Sequence, residues 1–192
     1  MRPAVFLDRD GTLNEDVGYL DRFDRLTLFP FAIDAVRLLN QAGFPVVVLT
    51  NQGGVASGLV AESFVLTLHD ALRARFEAGG AVIEQFYHCP HDPQAVVEAY
   101  RRKCDCRKPL PGMLRRSAAD LDLDPTRSYV VGDKWSDIAL ARHVGATGIL
   151  VRTGYGASQE ARPDRPSNSL VVEDLMAATV RILGSSKQAG YP

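Results

Sequence analysis

The chain predicts an α/β fold, a Rossmann-like parallel sheet sandwiched between helices, and three observations point there. Short continuous apolar runs rich in β-branched residues alternate with stretches of helical period. The runs lack the in–out alternation of a half-wetted sheet, so both faces of the strands should be covered. The acidic and glycine-rich segments follow the runs directly, at what would be the carboxyl ends of parallel strands, where such sheets bind ligands.

Residues 4–7 read as the first buried strand, and they run straight into Asp8, Asp10, Gly11 and Thr12. Two carboxylates two residues apart, where the ladder gives way to a turn, can be aimed into one pocket, one as nucleophile and the other as acid and base. Gly11 supplies the permissive backbone that lets the chain turn away. Residues 14–27 are polar and irregular and predict a loop or short hairpin over the site. Pro30 then opens an amphipathic helix over 30–42, with Gly43 as its stop. Residues 45–49 form a second buried strand, ending in Thr50, Asn51, Gln52, Gly53 and Gly54. A hydroxyl followed by a glycine-rich turn can present donors to phosphate oxygens. Taken alone, that turn reads more readily as a solvated connection to the next helix.

That helix is expected over 61–78, with His69 as an exposed or packed helix residue and not a ligand. A third strand follows at 82–87. Next come Cys89-Pro90-His91 and, after a polar interval, Cys104-Asp105-Cys106. Three thiolates and one imidazole in two close pairs satisfy tetrahedral Zn²⁺, and with all four positions filled by protein the site is structural. The ligand set is Cys89, His91, Cys104 and Cys106, with His88 as the rival histidine. Arg107 and Lys108 follow the metal staple directly, a fork and a point charge suited to a phosphate dianion. A helix over 112–120 and a strand over 129–131 lead to Gly132, Asp133, Lys134 and Asp137. An acidic residue at this strand end, brought beside Asp8, would complete an oxygen-rich site suited to Mg²⁺. Asp137 is expected to cap or orient the start of a helix over 135–144. A fifth strand at 148–151, a Gly-, Pro- and Arg-rich stretch over 153–169, a short strand at 170–172 and a helix over 174–183 complete the chain. Residues 184–192 read as a disordered tail beyond a single domain over 1–183.

The D-x-D-G-T segment at Asp8, Thr50 after the second strand, Lys108, and G-D-x-x-x-D from Gly132 resemble, in order, the four motifs of the haloacid dehalogenase superfamily of phosphatases and mutases. The resemblance implies a phosphatase. Asp8 would form an aspartyl-phosphate, Asp10 would serve as acid and base, and Thr50 and Lys108 would stabilise the transferring group. Mg²⁺ would be held by Asp8, the Asp10 backbone carbonyl and Asp133. The loop with Asp16, Val17, Gly18 and Tyr19, together with Asn51, Gln52, Gly53, Arg107 and Lys134, would select the substrate. Within the superfamily, these segments and the zinc loop look like the D-glycero-D-manno-heptose 1,7-bisphosphate 7-phosphatases. They are also similar to the histidinol-phosphate phosphatases, which share that loop. The former resemblance implies a small phosphorylated sugar as substrate and a place in nucleotide-activated heptose and lipopolysaccharide core biosynthesis.

Bulk properties narrow the alternatives. Lys plus Arg number 22 and Asp plus Glu 23, so no global basic field invites nucleic acid or a membrane surface. No apolar run approaches a membrane span, and residues 1–8 carry no secretory pattern, so a cytoplasmic monomer is expected. The intervals between motifs are too short for a large cap domain, which predicts an open site. Openness would also admit a nucleic-acid 3′-phosphate, which the lack of a basic, aromatic-rich surface disfavours. A zinc-stabilised binding module with a dead site is the non-enzymatic alternative, and the joint presence of Asp8, Asp10, Thr50, Lys108 and Asp133 argues against it.

Overall fold

A computed structural model describes residues 1–164 and 169–188. Its elements run β1 (Val5–Leu7), α1 (Ala32–Gln41), β2 (Val46–Asn51), α2 (Gly53–Ala56), α3 (Glu62–Ala78), β3 (Gln85–Cys89) and α4 (Gly112–Asp120), then β4 (Tyr129–Gly132), α5 (Trp135–Val144), β5 (Thr147–Val151), α6 (Gly156–Glu160), β6 (Leu170–Val172) and α7 (Leu175–Gln188). All six strands pair in parallel in the order β3-β2-β1-β4-β5-β6. The strand order reverses beside β1, which places the ligand-binding crevice at the carboxyl ends of β1, β2 and β4.

The pleat divides the apolar residues between two cores. Val5, Leu7, Val46, Val48, Val131 and Ile149 face one cluster with α1, α3 and α7, through Val36, Leu72 and Ile182 among others. Phe6, Val47, Leu49 and Val130 face the other, closed by Met113 and Leu114 of α4 and Leu140 and Ala141 of α5. Burial on both faces explains why the strands read as unbroken apolar runs.

The register fixes the site. Leu7 stands opposite Val48 of β2 and Val131 of β4, so Asp8, one residue beyond, and Thr50 and Asp133, two residues beyond, emerge together at the same end of the sheet. The Asp8 amide extends the ladder by one bond, donating to the Val131 carbonyl at 2.9 Å.

Several boundaries differ from the sequence expectation. The third strand sits later than 82–87, at Gln85–Cys89, where residues 85–89 pair with β2; His88 and Cys89 therefore belong to the sheet. Two short helices, α2 and α6, form in stretches that read as turns, both too short to show a period. The last helix continues to Gln188, through part of the segment read as a disordered tail, while residues 189–192 lie outside the described residues. Among the described residues no helix is long and apolar enough to cross a membrane.

The turn after β5 packs against that strand's own end. A Cβ on Gly156 would stand 1.6 Å from the Val151 carbonyl oxygen, a backbone atom that cannot swing aside. Gly156→Ala should therefore destabilise the protein by about 2 kcal/mol or more, as overpacking does. Chemical denaturation measures it, and an unchanged midpoint would show that the β5–α6 turn relaxes freely.

Candidate active site

The ammonium of Lys108 is buried, at 6% exposure, among the site's carboxylates. Its Nζ donates to the Asp8 carboxylate at 2.8 Å and to the Leu49 carbonyl at 2.7 Å, and it lies 2.7 Å from Asp137 Oδ1. A lysine has three N–H donors, and here three acceptors from β1, β2 and α5 surround them. Burial works against its charge, but Asp137 and Asp8 outweigh it and hold Lys108 above the usual lysine range. The backbone of Lys108 is fixed as firmly. Asn51 donates through Nδ2 to the Lys108 carbonyl at 3.1 Å and accepts its amide on Oδ1 at 3.0 Å. Asn51 lines the cavity, and its amide is already committed to aligning Lys108 with the end of β2.

Asp8 is buried, and that burial raises its carboxyl to about 6, against the opposing pull of Lys108. Asp10 has the opposite balance. Burial would raise it, but the Arg9 guanidinium and hydrogen bonds from Arg9, Asn14 and Gln52 hold it below the usual carboxylate range. Arg9 folds back along its own chain: Nε and Nη2 reach Asp10 Oδ1 at 3.0 and 2.9 Å, and Nη2 reaches Oδ2 at 2.7 Å. Asn14 donates to Asp10 Oδ1 at 3.0 Å, and Gln52 donates to Oδ2 at 3.1 Å and to Thr50 Oγ1 at 2.9 Å. Thr50 is itself buried at the end of β2.

Asp133 is fully buried behind Asp8. Its Oδ2 accepts the Tyr155 amide at 2.8 Å, while Oδ1 is buried without a hydrogen-bond partner. Burial and the Asp8 charge push its carboxyl up to about 7. Space around it exists only because two glycines face it: a Cβ on Gly11 would lie 2.2 Å from Asp133 Oδ2, and one on Gly154 2.3 Å. Both glycines also have positive φ. Thr153 locks the arrangement by donating to the Gly11 carbonyl at 2.6 Å. The donor set fits a hard divalent cation: carboxylate oxygens of Asp8, Asp133 and Asp137 lie within 4.8 Å of one another, and Asp133 Oδ1 meets only the Lys134 ammonium, at 3.8 Å. Asp137 is the least free of the three. Besides meeting Lys108, it accepts the Lys134 amide at 3.2 Å and so closes the start of α5, as a helix-capping residue does.

The cavity in front of these groups has a volume of about 100 Å³ and is lined at its floor by Asp8, Asp10, Thr50 and Lys108. Its rim carries Asp16, Gly18, Tyr19, the 51–54 turn, Lys134 and Ser136. Ser136 is not among the sequence candidates, and nothing in the spacing singles it out. Lys134 Nζ donates to Asp16 at 3.0 Å and sits 4.7 Å over the Tyr155 ring, so one cation ties the 16–19 loop to the β5–α6 turn. The loop is pinned from outside by Arg25, which donates to the carbonyls of Tyr19 and Val17, both at 2.9 Å, and to Asp21 at 2.7 Å. Val17 points away from the cavity and packs against the core. Arg107 also does not line the cavity. It pairs with Asp92 at 2.9 Å and donates to the His91 carbonyl at 2.9 Å, with its guanidinium about 4 Å from a Cβ position on Gly53.

The Cys/His cluster lies one loop away. The sulfurs of Cys89, Cys104 and Cys106 stand 2.9–3.5 Å apart as free thiols, and His91 Nδ1 is 3.3 Å from Cys106 Sγ and 3.9 Å from Cys89 Sγ. Burial and the neighbouring thiols push the Cys106 thiol far up, a cost that a bound cation would remove. The four residues are compatible with zinc. His88 is not part of the group: its Nε2 meets Glu62 Oε1 at 2.9 Å, and the other oxygen of Glu62 accepts the Tyr100 hydroxyl at 2.8 Å.

The geometry agrees with what the chain is similar to. A family model described as HAD-hydrolase-like matches residues 105–178. A D-glycero-beta-D-manno-heptose-1,7-bisphosphate 7-phosphatase of Yersinia pestis is 43% identical over 172 residues, covering 88% of this chain and 91% of the relative. The enzyme of that name from Escherichia coli K12 is 45% identical over 161 residues, covering 83% and 84%. Among solved structures, the D,D-heptose 1,7-bisphosphate phosphatase of B. bronchiseptica, complexed with magnesium and phosphate, superposes with a TM-score of 0.85. It has 34% identity and covers 96% of this chain and 99% of that one. The chain belongs to the HAD-like hydrolases, in the family of the heptose 1,7-bisphosphate 7-phosphatases.

Proposed function

We propose that the protein is a magnesium-dependent phosphatase that releases the 7-phosphate of D-glycero-β-D-manno-heptose 1,7-bisphosphate, leaving heptose 1-phosphate and inorganic phosphate. The single observation that carries this is the Asp8–Lys108 pair at 2.8 Å on the floor of a phosphate-sized cavity, in a chain whose curated relatives bear that activity in their names.

Asp8 is the nucleophile. One of its oxygens attacks phosphorus as the bond between phosphorus and the sugar oxygen breaks, and Asp10 gives that oxygen a proton. Water then attacks the aspartyl-phosphate. Asp10 takes the water's proton, and the bond between the Asp8 oxygen and phosphorus breaks to free inorganic phosphate and restore the carboxylate. Lys108 keeps Asp8 in place and offers fixed positive charge to the transferring group, and Thr50 offers a hydroxyl beside it. Magnesium would be held by Asp8, the Asp10 carbonyl and Asp133, supplying Lewis-acid charge that lessens repulsion between carboxylate and phosphate. Asp16, Gly18, Tyr19, Lys134 and residues 51–53 contact the sugar beyond the phosphoryl group, while Arg107, through Asp92, steadies the zinc loop at its edge. All of these groups come from one chain, so a monomer acting as one folded unit suffices. Three free thiols held as zinc ligands accord with a reducing cytoplasm.

Asp8→Asn should lower phosphate release from the β-heptose 1,7-bisphosphate below detection in the presence of Mg²⁺, with the wild type preferring that substrate over the α anomer and over histidinol phosphate. Undiminished turnover by purified Asp8→Asn would remove the nucleophile from the scheme; a preference for histidinol phosphate would keep the chemistry and change the substrate.

Protein purified without chelators should contain one zinc per chain by elemental analysis. Stripping it should unmask rapid amide exchange over residues 89–107 and lower kcat as Lys108 loses its anchor. Metal-free protein with full exchange protection and full activity would contradict the structural zinc.

A further inference from the structure

Behind the cavity, on the side away from solvent, Arg9 and His69 form a pair for which the reaction scheme has no use. Arg9 is the largest fully buried side chain among the described residues, at 1% exposure, and a guanidinium is not placed in a core without partners. Its Nε and Nη2 edge is spent on Asp10. Its remaining nitrogen, Nη1, lies 3.3 Å from Nε2 of His69, sixty residues away on α3. A guanidinium only donates, so Nε2 is the acceptor and the ring proton resides on Nδ1. Burial, followed by the Arg9 charge, lowers His69 to about 3, so the ring is neutral and able to accept across the working pH range. The ring is itself held in place, stacked on Phe86 of β3 at 4.7 Å.

We infer that His69 is a positioning residue which, through the Arg9 guanidinium, holds the Asp10 carboxyl in the orientation from which it exchanges a proton with the substrate's leaving oxygen. The inference rests on the phosphatase reading above. Its physical basis is the planarity of the guanidinium: seating Nη1 on a fixed acceptor sets the plane, and with it the direction of the two-pronged edge that grips Asp10. Without His69, Nη1 is a buried donor with no acceptor, and the fork is free to turn, taking Asp10 with it. Displacements of about 1 Å at a reacting group can cost two orders of magnitude in rate.

A residue that merely fills the core would affect all substrates alike, whereas one that aims the proton donor should matter only where the leaving group needs a proton. The test compares kcat/KM on heptose 1,7-bisphosphate with that on p-nitrophenyl phosphate or acetyl phosphate, whichever the wild type cleaves faster, since those leaving groups depart without protonation. His69→Leu should lower the value on the sugar phosphate about tenfold or more, part of the 10²–10⁴ that a general acid supplies, and leave the activated phosphate within about twofold. His69→Gln, whose amide oxygen can accept from Nη1, should recover most of the loss. Arg9→Met should show the same selectivity as His69→Leu, and adding His69→Leu to it should change the ratio no further. Because the ratio is taken within each preparation, partial unfolding cancels. Equal losses on both substrates, or an unchanged ratio, would make His69 a packing residue and overturn the inference. Asp10→Asn separates this outcome from failure of the underlying scheme. If it too shows no dependence on the leaving group, the role of Asp10 falls and the inference with it; if it does and His69→Leu does not, the inference alone falls.

Discussion

A buried ammonium needs acceptors on every N–H, and that requirement at Lys108 draws three parts of the chain together. The carboxylate after β1, the carbonyl at the end of β2 and the first turn of α5 all converge on one nitrogen. Removing any one would leave a charge stranded in a low-dielectric interior, which costs several kcal/mol. The requirement also runs outward. Lys108 can reach that point only because Asn51 clamps its backbone, and because residues 104–107 bring the chain back over the sheet edge after the long excursion from Cys89. The Cys/His cluster and the Asp8 carboxylate are in this sense one construction, joined by a single lysine two residues past the last thiol.

The same crowding explains the split between the two carboxylates of the D-x-D segment. Asp8 and Asp10 differ by two positions and burial is the largest influence on both, yet only at Asp10 is it outweighed, by the Arg9 guanidinium together with hydrogen bonds from Arg9, Asn14 and Gln52, so that one is raised and one lowered. Asp133, just past β4, completes the set, its carboxylate seated in space that glycines at 11 and 154 leave by lacking side chains.

Much of this was legible in the sequence because the chemistry constrains residue types at strand ends. Asp8 and Thr50 each follow an apolar run by one step and Asp133 by two, past Gly132, and a parallel sheet brings such positions close together whatever the helices do. The Cys/His spacing likewise has few other physical meanings, and the preference for His91 over His88 is matched by Glu62 occupying the latter. Helices α4 and α5 fall at the expected residues, and α5 is closed by the left-handed backbone of Gly145. What stayed hidden has long-range or backbone partners. Arg25 grips carbonyls, which carry no sequence signature. His69 looked like any helix residue because its partner lies sixty positions away. Arg107 reads as a phosphate ligand from its place beside Lys108, but Asp92 lies closer to it than the cavity does. The support of Asp133 by Thr153 and Tyr155 comes from a stretch whose composition suggested only a loop.

The cavity volume, about 100 Å³, is small against the roughly 300–1,000 Å³ of pockets that enclose a drug-sized ligand. It has room for a group the size of a phosphoryl, and Asp16, Gly18, Tyr19 and residues 51–54 stand around it. The charged groups at its floor are anchored at the strand ends, while those at its rim are carried on loops. Such a division favours evolutionary divergence: exchanges in a surface loop can redirect the scaffold to another phosphate ester without disturbing the buried charges, whose mutual dependence leaves little freedom to vary.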